Sequence, residues 1–211
     1  MKSVGEIMRI GPVIPVLTLE SVEQCEQVVH ALYEGGVRVL EITLRTAVGL
    51  KAIEHASKFA SDIVVGVGTI TTTTQVKEAK RAGATFGVSP GLTHALHAAA
   101  KDIDLPLLPG VMTPSDILRA LSLGYDTVKF FPAQQAGGLD MLRAFSGPFP
   151  TLQFCPTGGI TQESVRSFLD LPNVICVGGS WLTPTAAIIS QNWGEVTRLA
   201  HAASQLARLN T

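Results

Sequence analysis

Short apolar runs alternate along this chain with longer stretches whose apolar residues recur at helical spacing. Val13-Ile14-Pro15-Val16-Leu17 is the first run, and a helical stretch from about Ser21 to Glu34 follows until Gly35-Gly36 stops it. Bounded apolar runs of this length read as buried strands, and the 3.6-residue period reads as helix. The same alternation predicts strands at 37–43, 63–67, 84–88, 105–108, 127–131, 152–154 and 174–177. Helices fall between them, at about 47–60, from the Thr71–Thr74 run to Gly83, and at 93–101. Others follow from Thr113-Pro114 to Gly124, around 139–145 and at 161–169, with an amphipathic stretch from about Trp193 to Arg208 closing the chain. A short helical segment is expected over about 1–10. In the helix opened by Thr113, that residue is the expected N-cap and Pro114 occupies the first turn.

Strands that alternate one by one with helices predict a parallel sheet. Eight such units predict closure as a (β/α)8 TIM barrel, an α/β fold, with residues 1–211 forming a single domain. The rival is an open doubly wound sheet, which needs a glycine-rich dinucleotide turn after its first strand. Leu17-Thr18-Leu19-Glu20-Ser21 is not such a turn.

Against this apolar pattern two residues stand out. Lys129 is the one lysine inside a predicted strand, and Glu41 is the one glutamate. Side chains of a barrel strand alternate between the interior and the helix layer. Thr127, Lys129 and Phe131 share one parity while Val128 and Phe130 take the helix-facing one, so Lys129 is expected to point inward. Val39, Glu41 and Thr43 likewise point inward. One reading is a structural ion pair. The other is chemical. Desolvation weakens a lysine's hold on its proton, which makes the amine a nucleophile at neutral pH, and Glu41 is then a proton shuttle.

Further polar residues fall at the C-terminal ends of strands, where barrel enzymes build their sites. Arg45 lies four residues past Glu41. Thr69 follows Gly68 with the parity of Val65 and Val67. An arginine and a hydroxyl in these places would hold a small carboxylate. Taken singly, Arg45 also reads as a solvated loop cation, Thr69 as a turn residue and Pro90 as a loop proline. Two glycine pairs, Gly158-Gly159 after Thr157 and Gly178-Gly179 before Ser180, follow the last two predicted strands. Glycines admit an anion close to backbone N–H groups, and helix N-termini favour negative charge, so a phosphate site is expected there. His94 and His97 are three apart on a helix, with no third metal ligand at a strand end.

Composition narrows the partners. The 211 residues are 46% hydrophobic and 16% charged, with a net charge of −1 and no basic tract. Nucleic acid and anionic membrane are therefore poor partners. Cys25, Cys155 and Cys176 are isolated, which suits free thiols in a reducing cytosol. No stretch reads as a signal peptide or membrane span.

Seven motifs now carry a resemblance. They are VLEITLRT (Val39–Thr46), VGVGTI (Val65–Ile70), GVSPG (Gly87–Gly91), LLPGVMTPSD (Leu107–Asp116), VKFFPA (Val128–Ala133), PTGGI (Pro156–Ile160) and VGGSWL (Val177–Leu182). In this order, over nearly the whole chain, they resemble the bacterial 2-keto-3-deoxy-6-phosphogluconate (KDPG) aldolase / 4-hydroxy-2-oxoglutarate aldolase family, class I aldolases of the Entner–Doudoroff pathway. The resemblance implies that Lys129 forms the Schiff base and that Glu41 is the acid/base residue. It implies that Arg45 and Thr69 hold the pyruvyl carboxylate, with Pro90 and Phe131 shaping that end, and that Gly158, Gly159, Gly179 and Ser180 line the phosphate end. Thr157 resembles the gluconate-specific form more than the 6-phosphogalactonate aldolase, which differs at C4 of the substrate.

The resemblance further implies a cytoplasmic homotrimer acting on a small phosphorylated keto acid, with no metal and no cofactor beyond the imine. 4-Hydroxy-2-oxoglutarate is compatible with the same lysine. The readings that compete are a metal-dependent aldolase, which the missing ligand cluster disfavours, and a non-catalytic phosphate-binding barrel, which has no use for an inward lysine and glutamate.

Overall fold

The computed structural model of the chain describes residues 2–206. Its elements run α1 (Val4–Met8), β1 (Val13–Leu17), α2 (Val22–Glu34), β2 (Val39–Thr43), α3 (Gly49–Phe59), β3 (Val64–Gly68), α4 (Thr73–Arg81), β4 (Phe86–Val88) and α5 (His94–Asp102). They continue with β5 (Leu107–Leu108), β6 (Gly110–Val111), α6 (Pro114–Ser122), β7 (Thr127–Phe130), α7 (Gly138–Phe145), β8 (Gln153–Pro156), α8 (Val165–Leu169), β9 (Val177–Gly179), α9 (Thr185–Ile189) and α10 (Trp193–Ser204). Every paired strand is parallel, in the order β5-β4-β3-β2-β1-β9 and β6-β7-β8.

β5 and β6 are two halves of one barrel strand. Leu108 pairs with Val88 on one side, and Gly110 pairs with Lys129 on the other. Bridges Phe154↔Val174 and Thr157↔Gly178 join β8 to the chain entering β9 and close the ring. The structure is therefore the expected (β/α)8 barrel.

Where the chain departs from its pattern, local chemistry gives the reason. The run 105–108 is not one strand, because Pro109 has no N–H to donate and sits between the two halves. Its carbonyl instead accepts from Lys129 N at 2.9 Å. Any Cβ on Gly110 would run into the Pro90 carbonyl, so only glycine lets the two segments approach there. The last strand begins at Val177, not Val174: residues 173–175 first pair with β8, through Phe154 N to Asn173 O and Ile175 N to Phe154 O. Gly178 and Gly179 consequently belong to the strand itself. The regular part of the helix expected over 161–169 is only Val165–Leu169. The short helix α9 has no counterpart in the sequence reading. The closing helix is regular to Ser204, and the expected end at Arg208 lies outside the described residues, as does Met1.

Helix starts follow the capping rule. Ser21, Thr72, Thr93 and Thr113 each accept a hydrogen bond from the backbone three residues on. Thr72 and Thr113 complete capping boxes with Gln75 and Asp116.

Two apolar cores result. Between strands and helices, Leu40, Ile42, Val65, Val67, Val128 and Phe130 pack with helix residues such as Val28, Ile53 and Phe145. Inside the barrel, Ile14, Val39, Phe86, Val88, Leu108, Cys155 and Cys176 form a separate cluster. Val4, Ile7 and Met8 of α1 join it and cover that end of the barrel. The Phe86 ring fills the space beside Gly66, where any Cβ would collide with it. This hydrocarbon floor leaves the opposite end of the interior for polar side chains.

Candidate active site

Above the floor, β2 and β7 each project one ionisable side chain into the barrel. Glu41 and Lys129 are both 4% exposed, and Lys129 Nζ lies 3.5 Å from Glu41 Oε1. The strand alternation placed both correctly. The Glu41 carboxylate leans into the space that a side chain on Gly68 would need. A glycine on β3 therefore makes room for the acid.

The geometry bears on what the pair is for. A tight ammonium–carboxylate bond spans about 2.7–2.9 Å, well short of the distance seen. Removing two ions from water costs several kcal/mol each, and their attraction offsets this only when geometry and extra hydrogen bonds are good. Here the one further contact of the amine among the described residues is the ring of Phe131, whose centroid lies 5.2 Å from Nζ. A loosely matched buried pair is a poor stabilising device.

Arg45 lies two residues beyond β2. Its backbone is fixed next door by Thr46, whose hydroxyl donates to Leu19 O at 2.6 Å. Among the described residues its exposed guanidinium meets no hydrogen-bond or ion-pair partner, so it is available to an anion. Thr69 follows β3 with a φ of 64°, in the left-handed region. That conformation is costly for a β-branched residue, by about 1–3 kcal/mol, and such strain clusters at functional sites. It also ends the alternation at Gly68, so the parity shared with Val65 and Val67, which face the helices, does not place Thr69. Pro90 is exposed on the loop after β4, and Phe131 is half-buried at the end of β7.

Thr157 stands at the end of β8 in the hollow over Gly178, where a Cβ would collide with its side chain. The loops after β7 and β8 are joined by Ala133 N to Thr157 O at 2.8 Å and Gln134 N to Gly158 O at 3.1 Å. Gly158 and Gly159 have φ of 105° and 74°, which turns the chain sharply there. Among the described residues, the backbone N–H groups of Gly159 and Ser180 find no acceptor. The helices that follow these loops, Val165–Leu169 and Thr185–Ile189, are one turn each. Backbone N–H groups, more than helix dipoles, are what this end could offer an anion.

Two features were not singled out from the sequence. Thr18 and Thr43 place their hydroxyl oxygens 3.1 Å apart at the mouth. Inward parity marks Thr43, but Thr18 lies one residue beyond the first apolar run. Ser89, just after β4, is fully buried with a hydroxyl that meets no partner among the described residues, and nothing in its sequence context signals this. Elsewhere, His97 Nδ1 is 3.0 Å from the Tyr125 hydroxyl, and burial pushes that phenol up to about 12. Burial likewise pushes the Cys25 thiol up to about 12, which makes it inert. Among the described residues no three His, Cys, Asp or Glu side chains converge as a metal site.

Residues 4–199 match the family model described as KDPG and KHG aldolase. A 2-dehydro-3-deoxy-phosphogluconate aldolase of Dickeya dadantii (strain 3937) is 43% identical, over 95% of this chain and 94% of that protein. The fold superposes with a TM-score of 0.93 on a KDPG aldolase of Legionella pneumophila, crystallised with pyruvate captured at low pH as a covalent carbinolamine. The two are 44% identical, over 95% of this chain and 98% of that one. A 2-keto-3-deoxy-6-phosphogluconate aldolase of Zymomonas mobilis ZM4, crystallised with 3-phosphoglycerate, gives a TM-score of 0.92 at 41% identity, over 96% of this chain and 95% of that one. With a family match over nearly its whole length and relatives above 40% identity, this chain belongs to the KDPG and KHG aldolase family.

Proposed function

We propose that the chain is a class I aldolase that cleaves 2-keto-3-deoxy-6-phosphogluconate to pyruvate and D-glyceraldehyde 3-phosphate. The observation that carries the reading is the buried amine of Lys129, 3.5 Å from the Glu41 carboxylate inside the mouth of the barrel. The carbinolamine of pyruvate captured in the Legionella protein supports covalent chemistry of this kind. The 3-phosphoglycerate bound by the Zymomonas protein supports a small phosphorylated ligand.

In this mechanism the unprotonated Lys129 amine attacks the C2 ketone. The carbinolamine loses water and becomes a protonated imine. Glu41 accepts the proton of the C4 hydroxyl, the C3–C4 bond breaks, and its electron pair moves into the imine to give an enamine. The aldehyde departs. The proton returns to C3, and hydrolysis of the new imine releases pyruvate and the free lysine. General acid/base assistance of this sort contributes roughly 10²–10⁴-fold.

Arg45 and Thr69 are assigned to the pyruvyl carboxylate, and Pro90 and Phe131 to the walls of that end. Gly158, Gly159, Gly179 and Ser180 are assigned to the phosphate, whose binding energy positions the bond that breaks. Thr157 is assigned to the choice between C4 epimers, favouring gluconate over galactonate. 4-Hydroxy-2-oxoglutarate is a second substrate of the same lysine. The enzyme is placed in the cytoplasm as a homotrimer, serving the Entner–Doudoroff pathway.

The test is direct assay of both C4 epimers with EDTA present. Pyruvate should form from the gluconate-derived substrate, faster than from its epimer and at a rate unaffected by the chelator. Cleavage that stops with EDTA and returns with a divalent metal would point to the metal-dependent class instead.

A further inference from the structure

We infer that the Thr18–Thr43 hydroxyl pair is a specificity element that binds the C5 hydroxyl of the substrate, on the side of the molecule that leaves as the aldehyde. The inference rests on the aldolase reading above and adds to it a group that recognises the leaving half.

Thr18 shares the inward parity of Ile14 and Val16 on β1. Register places Val16 opposite Glu41 and Leu17 opposite Ile42, so Thr18 comes opposite Thr43. Thr43 is two residues above Glu41 on the same face of β2, about 6.5–7 Å along the strand. On the other side of β1, Pro15 pairs with Gly179. The two threonines therefore stand between the carboxylate that serves the C4 hydroxyl and the strand that ends in the phosphate glycines. A substrate stretched from Lys129 to those glycines carries its C5 hydroxyl past this point, one carbon–carbon bond beyond C4.

The hydrogen-bond inventory favours a ligand here. Each threonine hydroxyl has one proton and two lone pairs. Their mutual bond at 3.1 Å uses one proton and one lone pair. The remaining O–H and lone pairs meet no partner among the described residues, although Thr43 is fully buried. A polar group withdrawn from water with unused bonding capacity is costly unless something completes it. An incoming secondary alcohol, both donor and acceptor, does so. Thr18 itself is exposed, so the open side of the pair is its own hydroxyl.

The experiment compares kcat/KM of the wild type, Thr18→Val and Thr18→Ser on the parent substrate and on its 5-deoxy analogue. Thr18→Val should lose about tenfold on the parent, the worth of one hydrogen bond to a positioned hydroxyl, and less than twofold on the analogue. Thr18→Ser, which restores the hydroxyl, should recover the parent rate. Equal losses on both substrates would assign Thr18 a purely structural role and overturn the inference, as would no loss on either. If the wild type cleaves neither substrate, the aldolase reading fails and this inference falls with it. Cleavage of both by the wild type with a flat response to substitution defeats the inference alone.

Discussion

The two ends of the barrel interior are built from the same strands with the same alternation, yet they hold opposite contents. At the lower end, Ile14, Val39, Phe86, Val88 and Leu108 meet Ile7 and Met8 of α1 in a closed hydrocarbon cluster. At the upper end, the inward positions on β2 and β7 carry Glu41 and Lys129, nearly as well buried. Glycines serve both halves. Gly66 yields its space to the Phe86 ring, and Gly68 yields its space to the Glu41 carboxylate. The floor is optimised for packing, and it carries a layer above it whose contents are unfavourable for stability. One period of the alternation along a single strand, Val39 then Glu41, separates the apolar floor from the polar layer above it.

That contrast can be broken at either end. The largest effect is expected from Lys129→Arg, which keeps the charge and removes the nucleophile. Cleavage measured by steady-state kinetics should fall by roughly 10⁴-fold or more, with the melting temperature changed little. Glu41→Gln should lower kcat by about 10²–10⁴-fold while leaving formation of the pyruvate imine detectable by mass spectrometry after reduction. At the floor, Phe86→Ala should cost about 3–5 kcal/mol of stability in urea unfolding, because the ring fills both its own site and the hollow beside Gly66. The smallest effect on stability, and the sharpest discriminator, is expected from the double variant Lys129→Met with Glu41→Leu. It converts the upper layer into more floor. Replacing a buried ion pair by packed apolar residues is neutral or stabilising by about 1–4 kcal/mol, so this variant should be inactive and at least as stable as the wild type. A clear loss of stability would mean that the pair holds the barrel together.

How far the sequence could be read depended on how regular the backbone is. Where strands stay extended, parity alone found the inward Lys129 and Glu41 and the outward Val128 and Phe130. It failed where the backbone leaves the extended state or changes partner. Thr69 breaks alternation with its positive φ. Pro109 divides one barrel strand into two pieces that serve different neighbours. The chain before β9 pairs with β8 over 173–175 before it joins β1, whose edge it meets through Val177 N to Pro12 O. This moved the last strand three residues onward. The five-residue α9 is too short for a helical period to show. The Thr18–Thr43 contact depends on register across two strands, which no single segment encodes. The glycines could be named one by one but not assigned to loop or strand, whereas Ser89's lack of a partner among the described residues is a property of packing alone.

Reductive trapping asks whether the Lys129 amine of the upper region captures a ketone covalently. The protein would be incubated with pyruvate, reduced with borohydride, digested and mapped by mass spectrometry. One pyruvyl adduct is expected, on the peptide containing Lys129, with activity lost in step with labelling and no adduct in Lys129→Arg. An active enzyme that yields no adduct, or one labelled equally in that variant, would contradict it.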